Sequence, residues 1–188
     1  MIKNVHDNDA SVGLVKYGYL SIGVNAVDIK EYLHKHVLNK SELPLHNKVE
    51  LEELFRNFSS FEGKRKLIRY ISSILDCPVF MLDEDLSLFI AVGFSTYIKR
   101  NEMFGDELHS LLTFLDNPEF IQKTLADNFT LYPICFCFDF VLEDKIVTSL
   151  CAVSTTLIDN MVLGVVGKTD INFDLVVPLL NYISRKAI

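Results

Sequence analysis

Residues Tyr132 to Thr169 constrain the fold more than any other stretch of the chain. Ile134, Phe136, Phe138 and Phe140 alternate with Cys135, Cys137 and Asp139, the period of two that a half-buried strand requires. Glu143-Asp144-Lys145 forms a polar turn, and Ile146 to Val153 gives a second strand rich in β-branched residues. Asp159-Asn160 marks another turn before a third apolar run, Met161 to Gly167. Connections this short exclude parallel pairing, which needs a crossover of about a dozen residues or more. The stretch is therefore an antiparallel meander, and a sheet this apolar needs cover on at least one face.

The rest of the chain supplies that cover. Two β-like runs, Val12–Lys16 and Tyr19–Val24, precede a helix to about Leu38 whose apolar positions are Ile29, Tyr32, Leu33, His36 and Val37. Asn39 to Pro44 breaks it. Helices are expected over Asn47–Phe58, with Val49, Leu51, Leu54, Phe55 and Phe58 inward, and from Ser60 to about Asp76, with Leu67, Ile68, Ile71, Ile74 and Leu75 inward. Pro78 disfavours helix at the residue before it. A hairpin follows: strand Pro78–Leu82, turn Asp83-Glu84-Asp85, strand Leu86–Val92. Gly93 to Gly105 reads as irregular, Asp106–Leu115 as a helix, and Asn117-Pro118 as the cap and first residue of another. After the meander, Asn172 or Asp174 caps a last helix with Leu175, Val176, Leu179, Leu180 and Ile183 on one face. The expectation is an α+β domain with five antiparallel strands, helices at its ends and a helical insert between the second and third strands. A boundary near residue 59 would separate a small segment, 1–58, from the main domain, 59–188.

Composition excludes several functions. Hydrophobic residues make up 49% of the 188, ample for a core, which argues against disorder. Lys and Arg number 18 against 25 Asp and Glu, a net charge of −7. That balance is poor for gripping phosphates. No run reaches the ~18 apolar residues of a membrane span, and Met1–Ala10 lacks the apolar core of a secretory signal. A cytosolic protein is expected, with Cys77, Cys135, Cys137 and Cys151 as buried reduced thiols.

No residue set reads as catalytic, and an enzyme is not expected. Cys135 and Cys137 share a strand face, and Cys151 would join them only if the register allows. Core packing explains them better than a soft-metal site or thiol sensor. His34 and His36 lie about 200° apart on a helix and cannot share a metal; no metal site or cofactor is expected. The acidic turns suit solvation. Gly164 and Gly167 suggest a bulge or a close backbone approach. A pocket between sheet and insert is the stronger candidate: Phe94, Tyr97 and Phe104 from the insert, with Tyr132, Cys137, Asp139, Ser149 and Cys151 from the sheet. The opposing possibility is that these rings fill a solid core. Which sheet face is roofed stays open.

Leu67–Gly93, LIRYISSILDCPVFMLDEDLSLFIAVG, resembles the opening of GAF-type sensory domains: helix, small residue, Pro-Val, apolar strand, Asp, turn and second strand. VTSLCAVSTTLIDNMVLGVVGKTDINFDLVVPLLNYIS looks like the closing half of that fold. From about Tyr17 to Ile188 the chain is similar to the N-terminal halves of bacterial transcription regulators of the purine-catabolism and sugar-diacid type. The resemblance implies a GAF/PAS-like sheet, small-molecule sensing and a homodimer, with the stripes at Leu67–Leu75 and Leu175–Ile183 as dimer and output elements. Nucleic acid would be bound only through a helix-turn-helix missing from this chain. The competing expectation is a GAF-like interaction module that senses nothing.

Overall fold

A computed structural model describes residues 42–126, 129–131, 133–142, 145–169 and 171–186. At 126, 129–131, 138–142, 145, 146 and 148 the description is of backbone alone. The strands expected at Val12–Lys16 and Tyr19–Val24, the helix reaching Leu38 and the turn at Glu143-Asp144 lie outside the described residues.

Helix α1 (Leu45–Phe55) leads into α2 (Phe61–Leu75), then β1 (Val79–Leu82) and β2 (Phe89–Val92). The insert holds α3 (Phe94–Arg100), α4 (Gly105–Leu115) and α5 (Pro118–Ala126). The meander is β3 (Phe129–Leu131), β4 (Ile134–Leu142), β5 (Lys145–Thr156) and β6 (Val162–Lys168), and α6 (Phe173–Lys186) closes the order. All strand pairs are antiparallel. The sheet runs β2-β1-β6-β5-β4-β3, so the last strand of the meander returns beside the first strand of the hairpin. The five expected strands are present, and three-residue β3 extends the edge.

Local chemistry sets most boundaries. The Ser60 hydroxyl accepts the Gly63 amide at 3.0 Å, an N-cap worth about 1 kcal/mol. Asp76, left-handed at φ 53°, ends α2. Asp83 accepts the Leu88 amide and the Ser87 hydroxyl at 2.9 and 2.6 Å. That loop delays β2 to Phe89, three residues later than expected. Asn117 caps α5 through the Phe120 amide at 2.9 Å. Asp159 and Asn160 are both left-handed in the β5–β6 turn, a conformation their short polar side chains tolerate. Gly93–Gly105 departs from expectation, because Phe94–Arg100 is helical.

Register separates the two sheet faces. Phe136, Val153, Val165 and Val79 stand opposite one another along one row. Their face meets the terminal helices, as the Phe136–Phe173 ring contact at 6.5 Å shows. Here α2 lies on β1 and β2, and α6 on β5 and β4. Leu67, Ile68, Ile71, Leu179, Leu180 and Ile183 are fully buried, each contributing about 1.5–3 kcal/mol relative to exposure. The stripes expected to serve a dimer thus pack within this chain's own core. The neighbouring row, Cys135, Ser154, Gly164 and Phe80, faces the insert, where Phe80 meets Phe114 of α4 at 5.9 Å.

Helix α1 adds to the same core through Leu51, and the residues just before it through Leu43. It is fastened to α6 by Glu52, which accepts the Tyr182 hydroxyl at 2.7 Å and pairs with Lys186 at 2.5 Å. Burial, then the Glu52 hydrogen bond, pushes Tyr182 up to about 12, above the ordinary tyrosine value near 10. Below pH ~10 the phenol is protonated folded or unfolded, and its contribution is complete. Toward pH 12 the unfolded chain gives up that proton first, so stability falls. Urea titrations at fixed pH between 10 and 12 should show wild type losing stability more steeply than Tyr182→Phe; equal slopes would refute the assignment.

Candidate functional site

The candidate site is the end of the sheet where the insert meets β6. Gly93 opens the insert at φ +85°, a left-handed turn that sends the chain from β2 into α3. One turn along α3, buried Tyr97 lies over Gly167. A Cβ at Gly167 would come within 2.9 Å of the Tyr97 hydroxyl and 2.7 Å of Ile171 Cγ2. Glycine at 167 therefore permits a close approach. The Tyr97 oxygen accepts the Lys168 amide at 2.7 Å. The Lys168 ammonium pairs with Glu107, in the first turn of α4, at 2.9 Å. Two insert helices thus hold one residue, the last of β6. Its carbonyl accepts the Cys151 thiol at 3.5 Å, and the next amide, Thr169, donates to the Ser149 carbonyl at 3.2 Å.

Three residues proposed from sequence, Tyr97, Ser149 and Cys151, therefore gather around Lys168–Thr169. Phe94, Phe104 and Cys137 do not join them. Cys137 stands opposite Ala152 and Cys151 opposite Phe138. Cys135 and Cys137 accordingly face the insert, and Cys151 faces the terminal helices. The register shifts between Phe138 and Phe140, and Asp139 between them is described by its backbone alone. Phe94 is 37% exposed and Phe104 80%; both lie on the outside of the insert. Tyr132 lies outside the described residues.

Lys168 and Glu107 were missed, because a lysine ending a strand and a glutamate opening a helix carry no local mark of meeting. Gly167 was the available signal, since it announced a close approach without naming what approaches. Under α4, fully buried Phe80 and Phe114 occupy the space between helix and sheet. Among the described residues no three His, Cys, Asp or Glu side chains gather as metal ligands, and no helix is long and apolar enough to cross a membrane. Compared with protein-family models, curated proteins and solved structures, the chain finds no match.

The Tyr97 hydroxyl satisfies an amide at the strand end, so its removal costs desolvation as well as a bond. Tyr97→Phe should destabilise the fold by about 1–3 kcal/mol, measured by urea unfolding. A loss well under 0.5 kcal/mol would mean that water takes over the Lys168 amide.

Proposed function

We propose that this chain is the small-molecule-sensing, GAF-like part of a bacterial transcription regulator, a cytoplasmic homodimer whose DNA-binding part lies outside this sequence. The observation that carries the reading is the double grip on Lys168. Tyr97 and Glu107 come from the insert, and Lys168 ends the strand that leads directly into α6. A ligand that moves the insert would pull on the head of α6. The ligand acts by binding one arrangement of insert and terminal helix better than the other. The order helix, hairpin, helical insert, meander, helix adds support.

The Phe80–Phe114 contact favours a second reading, a GAF-like module kept for protein interaction, because those rings fill space that a ligand would need. A thermal-shift screen against purines, sugar acids, branched amino acids and nucleotides, with native mass, separates the two. A ligand at 100 times its Kd adds about 2.7 kcal/mol, several degrees for a domain of this size. A saturable shift makes the module a sensor. No shift from any class, with a dimer by mass, makes it an interaction module.

A further inference from the structure

The insert is fastened to the sheet a second time, at the end opposite Lys168. Leu82 pairs with Val162 where β1 ends and β6 begins, and the two turns beyond them meet. Asn160 of the β5–β6 turn donates to the Glu84 carboxylate of the β1–β2 turn at 2.6 Å. The backbone carbonyl of Glu84 accepts the side-chain amide of Gln122, in α5, also at 2.6 Å. Glu84 thus joins three elements at one point.

The two fastenings differ in kind. At Lys168 a buried tyrosine holds a backbone amide, and the chain itself enters the insert at that end, since Val92 pairs with Val79. At Glu84 both bonds lie in solvent, where water takes over either partner at little cost. The turn is also strained: Leu86, an aliphatic residue, is left-handed at φ 57°, a conformation in which its Cβ crowds the backbone. Segments held by exposed bonds are the ones that open without global unfolding.

We propose that α4 and α5 form a lid that opens at the Glu84 end and hinges at the Lys168 end. Glu84 is the latch. When its bonds to Gln122 and Asn160 break, the corner between α4 and α5 lifts, taking Phe114 off Phe80 and α5 off β4. There the Cys135 thiol, which donates to the Leu125 carbonyl of α5 at 3.3 Å, loses its acceptor. The lid uncovers the row Phe80, Gly164, Ser154 and Cys135, with Cys137 beside it on the same face. A ligand would reach the sheet by this route; its entry rests on the sensing reading, whereas the opening is a property of the chain alone and is measured without any ligand.

Thiol alkylation of the full chain under native conditions, mapped by mass spectrometry, tests it. Cys137 and Cys151 are both fully buried and face opposite sides of the sheet, Cys137 under the insert and Cys151 under the terminal helices. Opening of the lid exposes Cys137 alone. In wild type Cys137 should react roughly tenfold faster than Cys151 or more. Gln122→Met keeps a good helix former and removes the bond from α5. Asn160→Gly suits the left-handed backbone and removes the other bond. Together they should speed Cys137 roughly fivefold further or more, with Cys151 unchanged. Glu107→Gln, at the hinge, should speed Cys137 less than that pair does. The proposal is overturned if the two thiols react equally fast in wild type, or if the double variant leaves Cys137 unchanged or speeds both thiols alike. It is equally overturned if Glu107→Gln speeds Cys137 more than the double variant does, which would put the opening at Lys168.

Discussion

Gly164→Ala should destabilise the protein by about 2–3 kcal/mol, although alanine normally suits a strand better than glycine by roughly 0.5–1 kcal/mol. An added Cβ would lie 2.1 Å from Cζ of Phe80 and 2.7 Å from both Cε atoms. Phe80 is directly opposite Gly164 in the β1–β6 register, and its ring lies across the bare backbone. The ring cannot swing away, because Phe114 holds it from above at 5.9 Å and Phe120 backs Phe114 at 6.0 Å. Interiors packed at crystal density absorb an extra methyl only through strained rotamers or backbone shifts. Urea unfolding should move the midpoint down by roughly 1 M or more. Phe80→Leu supplies the control. Alone it destabilises, but added to Gly164→Ala it should restore part of the loss, because the shorter side chain vacates the space. Simple additivity of the two losses would show that the ring and the new methyl never compete. The insert rests on the sheet through these rings, so Gly164→Ala should also loosen α4, with faster amide exchange there.

The same glycine marks how far the sequence could be read. Alternation in Ile134–Phe140 and the short connections after it were enough to place an antiparallel meander, since both are local properties. Apolar spacing likewise located α1, α2 and α6, and the Asn117-Pro118 pair marked the start of α5. Helix α3 escaped because Phe94–Arg100 is seven residues between two glycines, too short for a periodicity to declare itself. A period of two says which residues share a face within a strand. It does not say which residues of the next strand join them, and a slip of one residue exchanges the faces. Register therefore decided that Cys137 and Cys151 look in opposite directions. The stripes on α2 and α6 announced buried faces but not what buries them, and this chain's own sheet does so. Lys168 and Glu107 meet only because β6 ends and α4 begins at the same corner of the fold.

At that corner Gly93→Ala should cost about 3 kcal/mol or more, from two separate sources. At φ +85° a residue with a Cβ incurs roughly 1–2 kcal/mol of backbone strain. The new methyl would also stand 1.9 Å from the Ser72 hydroxyl and 3.1 Å from the Cys77 carbonyl oxygen, an overpacking of roughly another 1–3 kcal/mol. Ser72 has nowhere to go: it is buried in α2, and its hydroxyl donates to that same carbonyl at 2.7 Å. The two sources can be separated. Ser72→Ala in the Gly93→Ala background removes the oxygen responsible for the shortest contact, while leaving the backbone strain and a carbonyl short of its donor. Partial recovery is therefore expected, with a residual loss of about 1–2 kcal/mol or more. Full recovery would mean that φ at 93 relaxes freely; no recovery would mean that strain alone sets the cost. Gly93 is where β2 becomes insert, and the nearby Asp76–Arg100 ion pair ties the end of α2 to the end of α3. The substitution therefore presses on the joint between α2 and the insert helices that grip Lys168. If the insert relays ligand binding to α6, Gly93→Ala with Ser72→Ala should fold and yet show a weakened thermal shift with whichever compound the screen identifies. An undiminished shift would place the relay elsewhere, in α4 and its Glu107–Lys168 pair.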